Sequence, residues 1–361
     1  MLLRFIMASN HWRILPGGGE KEGCQALDSD SPVGCSRRQV YFCAGASGGL
    51  WMDTQMNGGR FLLLVTGASR GFGRCVAEEF VRQVAPASPV DLVLVARSES
   101  GLRSAADAID AMAGNIRTPD GVADVVVRRE ALDLGDLDRL EAGLDGVFSR
   151  IDPLRYSRAM LVNNAGSLGH ISFANELPSL ATLRSDMDFN VTSAFWLSSR
   201  FAAIFGARKP GEKGGVSSSS EPAEASTADS GGVAATSTGG GTVTTRDVSN
   251  NVLVNVSSLA ALQPFESWGG YSSGKAARDM FHRVLATEQA SIGGLKVLNY
   301  APGPMDTDMS KDIRSAEEYE EEVKTGKLID PKLSAEKCVR LAVRGTFVTG
   351  SHVDFFDEEK D

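Results

Sequence analysis

Phe61-Leu-Leu-Leu-Val-Thr66 runs directly into Gly67-Ala-Ser-Arg-Gly-Phe-Gly73, and a helical pattern covers Gly71 to Val84. No other stretch limits the fold as tightly. An unbroken Leu/Val run suits a strand buried on both faces, as in a parallel sheet. Glycines let the backbone turn sharply after it and approach a ligand closely. A helix opening on that turn offers unpaired N–H groups and its positive dipole end, which suit a pyrophosphate. The spacing is G-x-x-x-G-x-G, not G-x-G-x-x-G, so the strand–turn–helix context carries the reading rather than the glycines alone. A dinucleotide is the expected ligand, with Gly67, Ser69, Arg70, Gly71, Phe72 and Gly73 around it.

Further short runs repeat the pattern: Leu92–Ala96, Val125–Val127, Met160–Val162, Val252–Val256, Val297–Tyr300 and Val353–Phe355. Helical patterns follow most of them, among them Leu137–Phe148 and Ser272–Glu288. Such alternation predicts an α/β fold, a single Rossmann-like doubly wound parallel sheet with helices on both faces. Ligands of that architecture bind at the carboxyl ends of the strands. The domain is expected over residues 60–357. Residues 1–59, rich in Gly, Ser and Cys, read as a disordered extension. So does an insert over 208–248, with Ser217-Ser-Ser-Ser220 and Gly239-Gly-Gly241, which cannot bury enough apolar surface to offset its ordering entropy. The insert joins a helix to the strand at Val252, and helix-to-strand loops lie at the edge away from the ligand.

Composition removes several classes of function. A formal charge of −9 argues against a general nucleic-acid binder. No apolar run is long enough to span a membrane. The cysteines (Cys24, Cys35, Cys43, Cys75, Cys338) are odd in number and widely spaced, which suits reduced thiols and a cytoplasmic location. The histidines form no ligand cluster, so no metal is expected. The acidic run Glu317–Glu322 reads as the solvated face of a helix.

The second strand ends in Arg97-Ser98, where an acidic residue would bind the ribose hydroxyl of NAD. With Arg70 nearby, two guanidinium groups suit a 2′-phosphate, so NADP(H) is the expected cofactor. Asp133, after the third strand, is placed to accept from the adenine amino group. Tyr271 and Lys275 stand at i and i+4 and share one helix face. A free phenol titrates near 10. A neighbouring ammonium is expected to lower that value and make the phenol a proton donor to a developing alkoxide. Ser258, at a strand end, would hydrogen-bond the same oxygen.

These segments, with Asn163-Asn-Ala-Gly166, Asn190 and Pro302-Gly303, resemble the short-chain dehydrogenase/reductase family over about residues 60–207 and 249–357. The resemblance implies Asn190, Ser258, Tyr271 and Lys275 as the catalytic residues, Asn190 positioning a water in a proton relay. Lys275 would also hold the nicotinamide ribose. It adds Leu134, Asn164, Met305, Asp306 and Thr307 to the cofactor contacts, with Met305–Ser310 closing over it. Longer segments, such as Ser257–Phe265, Val297–Met309 and His352-Val-Asp-Phe355, are similar to members that reduce the side-chain ketone of a pterin. That similarity implies conversion of 6-pyruvoyl-tetrahydropterin towards tetrahydrobiopterin, and of sepiapterin to dihydrobiopterin. Asp354 would anchor the pterin, because a carboxylate can accept two parallel N–H bonds from its guanidine-like edge. Ser257, Ser258, Tyr271 and Gly303 would line the substrate, and a homodimer is implied. Two alternatives stand beside this: a broad ketone or quinone reductase, and a non-catalytic NADP(H)-sensing scaffold. The extension, the insert and Met305 in place of the more usual Leu depart from the pattern without interrupting a motif.

Overall fold

The computed structural model describes residues 59–208, 248–312 and 328–358, together with two short strands, Phe5–Ala8 and His11–Ile14. Those two pair antiparallel within the separate unit Met1–Trp51. The rest of the expected extension, residues 209–247 of the expected insert and the run Glu317–Glu322 lie outside the described residues.

A seven-stranded sheet forms the body of the second unit. In chain order its strands are β1 (Arg60–Thr66), β2 (Val90–Ala96), β3 (Val125–Ala131), β4 (Tyr156–Asn163), β5 (Val252–Val256), β6 (Lys296–Ala301) and β7 (His352–Asp354). Every pairing is parallel, in the order β7-β6-β5-β4-β1-β2-β3. From β1 the chain winds outward through β2 and β3, then returns to start β4 on the other side of β1. This reversal opens a crevice at the carboxyl ends of β1 and β4, where a doubly wound sheet takes its ligand.

The helices are α1 (Gly71–Val84), α2 (Glu99–Ala113), α3 (Leu137–Phe148), α4 (Leu180–Met187), α5 (Ser193–Phe205), α6 (Gly269–Ala290), α7 (Asp308–Asp312) and α8 (Pro331–Arg344). The two-residue strand period divides the core. Phe61, Leu63 and Val65 of β1 pack with α1, α2 and α8 on one face. Leu62 and Leu64 pack with α3, α5 and α6 on the other.

The strands that differ from the sequence reading differ where apolar runs meet charge. β3 continues through Arg128, Arg129 and Glu130, since an edge strand keeps half its surface in water. β2 begins two residues earlier than its Leu/Val run because Asp91 is buried with partners. It accepts from Arg60 Nη1 at 2.6 Å and from the Tyr156 hydroxyl at 2.9 Å.

The insert leaves and rejoins at the amino edge of the sheet. Asn251 Nδ2 donates to the last carbonyl of α5, at Phe205 (2.7 Å), and its Oδ1 accepts from Ala159 N in β4 (2.7 Å). Both flanks are thereby fastened at the edge away from the crevice, as the topology required.

Candidate active site

The glycine turn is shaped by close approach. Gly67 and Gly71 hold φ of +66° and +56°, a region that side chains disfavour. A Cβ on Gly73 would lie 2.5 Å from both the Gly67 carbonyl oxygen and Asn164 Nδ2. Asn164 is itself fixed, its Nδ2 donating to the Thr66 carbonyl (2.8 Å) and its backbone N–H to Thr66 Oγ1 (2.9 Å). Its side chain therefore ties β4 to β1 behind the turn. At the start of α1, Arg70 makes no side-chain cap and the first turn holds no acidic residue. The helix amides thus face the crevice with no carboxylate from their own first turn, a cradle that fits a pyrophosphate.

The flanking residues divide into two kinds. Phe72 and Leu134 are buried, Phe72 stacked on Tyr300 at 6.2 Å between centroids, so they build the wall from behind. Ser69, Arg70, Arg97, Ser98 and Asp133 stand around the opening. A Cβ on Gly101 would lie 2.8 Å from Ser69 Cβ and 3.1 Å from Ser98 Oγ, so the glycine turn seats against the start of α2. Ser98 caps α2, accepting from Gly101 N at 3.1 Å. Arg97 is exposed, its guanidinium 5.8 Å from the Phe189 ring centroid. Asp133 Oδ1 accepts from Gly135 N (2.9 Å), which fixes its carboxylate. The segment after β6 crosses the turn: Met305 bridges to Ile329, Thr307 Cγ2 lies 4.0 Å from a Cβ built on Gly71, and Asp308 pairs with Arg70. Arg70 is thus engaged by a carboxylate, while Arg97 is the basic group directly after β2.

The proposed chemical groups meet on α6. Its residues 271, 275, 278, 279 and 282 form one stripe at helical spacing, and Lys275, Arg278, Asp279 and His282 are all buried. Lys275 Nζ donates to the Val256 carbonyl (2.7 Å) and lies 5.6 Å from the Tyr271 ring centroid. The Tyr271 phenol hydrogen-bonds with Ser258. Ser258 ends β5's loop and accepts from Ala260 N (3.2 Å). Ser267, with φ of +63°, turns the chain into this helix. Trp268 stands edge-on to Tyr271, and Phe265 beside Trp268, each pair 5.5 Å apart.

The electrostatics differ from the sequence expectation. Burial pushes the Tyr271 phenol above its ordinary value, against the pull of the Ser258 hydrogen bond and the Arg278 charge. Burial and the nearby Arg278 hold Lys275 well below the usual ammonium range. The cation that lowers the phenol is therefore Arg278, and desolvation outweighs it. Tyr271 remains a phenol through neutral pH, the form a proton donor requires.

Arg278 was invisible as a site residue in the sequence. It is fully buried, and burial brings it down to about 10. It donates to Asn255 Oδ1 (2.8 Å), to the Ala165 carbonyl (3.0 Å) and to the Asn163 carbonyl. The available signal was the polar stripe on α6, where an amphipathic surface helix would place apolar residues. Asn190 sits in a π turn over Asp188–Thr192, a rare element often found at functional sites, and its Oδ1 accepts from Ser167 N at 2.8 Å.

At the far end of the crevice, Gly303 (φ +77°) lets the chain pass close to Ile329 and Phe355. Asp354 closes β7 beside Ala301, and its Oδ1 accepts from Phe356 N (3.0 Å). Lys337 donates to the carbonyls of Phe355 (2.9 Å), Asp354 (3.3 Å) and Asp357, which secures that turn to α8. Ser257 is buried; its N–H donates to the Tyr300 carbonyl (2.7 Å), and its hydroxyl meets no partner among the described residues.

A parallel sheet with a glycine turn after its first strand, a serine just past its fifth and a Tyr–Lys pair on the helix that follows defines a nucleotide-dependent oxidoreductase. The chain belongs to the short chain dehydrogenase family, whose model matches residues 62–226 and 241–318. It is an oxidoreductase acting on carbonyl or CH–OH groups with a nicotinamide cofactor. The chain is 34% identical to a sepiapterin reductase of Rattus norvegicus over 315 residues, covering 84% of this chain and 100% of that one. A sepiapterin reductase of Xenopus tropicalis is 34% identical over 307 residues, 83% of this chain and 97% of the relative. A benzil reductase of Bacillus subtilis is 27% identical over 294 residues, 79% and 94% of the two chains. Among solved structures, levodione reductase superposes with a TM-score of 0.56 at 19% identity, over 82% of this chain and 95% of that one. An actinorhodin polyketide ketoreductase with NADPH gives 0.56 at 19% identity, over 83% and 94%. Among the described residues no helix is long and apolar enough to cross a membrane.

Proposed function

We propose that this chain is an NADPH-dependent reductase of the side-chain ketone of a pterin, acting on sepiapterin and on 6-pyruvoyl-tetrahydropterin. The observation that carries this reading is Asp354. Its carboxylate closes β7 at the same edge of the sheet as Tyr271 and Ser258, and its turn is fastened by Lys337. A pterin presents a guanidine-like edge to a carboxylate, which accepts two parallel N–H bonds. Its ketone would then face the phenol.

A nicotinamide nucleotide held at the glycine turn would supply the hydride for the carbonyl carbon. Tyr271 donates its phenolic proton to the carbonyl oxygen, and the Ser258 hydroxyl orients that oxygen. Lys275 would hold the nicotinamide ribose, and Asn190 would support proton resupply through a water. Ser257 and Gly303 shape the wall. The exposed Arg97 directly after β2, with Ser69 and Ser98, supports NADPH over NADH, because the position that follows the strand carries a guanidinium rather than a carboxylate, and Glu99 beyond it is paired with Arg129. The two described cysteines, Cys75 and Cys338, are free, which suits a cytoplasmic enzyme.

The test is NADPH consumption with sepiapterin and with a small vicinal diketone. Asp354→Ala should lower kcat/KM for sepiapterin by about 10–100-fold, the scale of losing hydrogen bonds to a charged group, and leave the diketone nearly unchanged. Equal rates with both substrates in wild type and variant would favour the broader ketone reductase that the benzil reductase relative suggests.

A homodimer is part of the proposal. Trp196, Met280 and Val284 are exposed large apolar side chains on α5 and α6. They flank a stacked Phe195–Phe281 pair (4.1 Å) and a groove of about 540 Å³ whose lining includes Leu137, Leu140, Val191 and Trp196. Contiguous apolar surface of this kind marks an interface. Trp196→Lys should sediment as a monomer where the wild type sediments as a dimer; an unchanged profile places the interface elsewhere.

A further inference from the structure

The strand that bears Asp354 is short, and among the described residues β6 is its only neighbour in the sheet. Backbone pairing holds it to β6, and a side chain ties it to the helix that carries the proton donor. His352, the first residue of β7, lies with Nδ1 2.6 Å from Asp279 Oδ2 on α6. Asp279 Oδ1 accepts from Asn255 Nδ2 (3.1 Å), and Asn255 Nδ2 also reaches Asn299 Oδ1 on β6 (2.9 Å). Asn255 Oδ1 accepts from Arg278 Nε. A buried polar chain thus runs from β7 through α6 into β5 and β6. His352 Nε2 is buried and meets no partner among the described residues, so the single bond at Nδ1 orients the ring.

Two periodicities give this bond its meaning. His352 and Asp354 are two apart on a strand and share a face of the sheet. Asp279 and Tyr271 are eight apart on a helix and share its stripe. One hydrogen bond therefore joins the element carrying the substrate anchor to the element carrying the acid. We infer that His352 and Asp279 are positioning residues that fix the distance between the Asp354 carboxylate and the Tyr271 hydroxyl, and so select substrates long enough to span the two. The inference deepens the pterin reading and rests on it. A ketone that meets only Tyr271 and Ser258 does not sense this register. Lys337 differs, because it ties the Asp354 turn to α8 and leaves the distance to α6 unset.

The test uses two replacements of similar size. His352→Asn keeps an N–H where Nδ1 stood, and His352→Leu removes it. For each, kcat and KM are measured with sepiapterin and with a small vicinal diketone, together with NADPH affinity, Tm and amide exchange over residues 353–357. The Leu variant should raise KM for sepiapterin about tenfold, the effect of one hydrogen bond to a charged group, with the diketone and NADPH within about twofold. The Asn variant should recover most of that loss, and exchange over 353–357 should quicken in Leu alone. Equal losses with both substrates, or equal losses in Asn and Leu, would assign His352 a purely structural role and overturn the inference. Asp354→Ala is run alongside. If it is not selective for the pterin, the functional reading fails, and the exchange data still judge the register: unchanged exchange in His352→Leu overturns it.

Discussion

Tyr271→Phe is expected to lower carbonyl turnover by about 10²–10⁴-fold, the range for losing a positioned general acid, while reduced nucleotide still binds. The structure separates the hydroxyl from the rest of the side chain's work. The ring keeps its edge-on contact with Trp268, and Lys275 keeps its bond to the Val256 carbonyl, since neither uses the phenolic oxygen. The pH profile supplies a second readout. Burial raises the Tyr271 phenol, so the wild type should reduce at a constant rate through neutral pH and lose rate as pH climbs through the phenol's value. The residual rate of the variant should lack that alkaline descent. Full turnover in Tyr271→Phe, or the same descent in both proteins, would remove this residue from the chemistry.

Gly73→Ala is expected to weaken nucleotide binding by at least about 100-fold, or roughly 3 kcal/mol, because it forces apart the backbone that forms the cradle. The added methyl would fall 2.5 Å from the Gly67 carbonyl oxygen and from Asn164 Nδ2. The first is backbone, and the second is held between Thr66 and the turn, so neither can yield without opening the loop. A protein interior packed at crystal density transmits such a displacement rather than absorbing it. Gly71→Ala makes a useful contrast, since among the described residues a Cβ there meets only Thr307 Cγ2, at 4.0 Å, and the cost lies in its positive φ. Titration with NADPH, followed by fluorescence or calorimetry, would check both variants. Near-normal affinity in Gly73→Ala would show that the turn does not hold the nucleotide.

Much of the fold was legible because its signals are local. α1 and α3 follow their apolar periods, and β5 follows a run with one polar residue. The edge strand β3 and the first residues of β2 and β4 were less legible. There, charged side chains are tolerated by exposure or by partners distant in sequence, as with Asp91, Arg60 and Tyr156. In the site, spacing alone placed Tyr271 and Lys275 on one face. It could not rank burial against charge, so it credited Lys275 with an effect that Arg278 exerts. Arg278 escaped notice because its partners are mainly backbone carbonyls at the end of β4 and just past it, which no side-chain motif records. Asn164 shows the converse: a motif residue whose side chain serves the backbone behind the turn.

Asn251, which clips α5 and β4 together at the amino edge, also defines where foreign sequence can be carried. Loop closure grows costly only slowly with length, so the two anchored flanks, ending at Arg208 and resuming at Val248, can be joined by a connection of widely varying length. Both attachment points stand on the rim of the sheet opposite the glycine turn, which is where a reporter domain joined between them would be tethered.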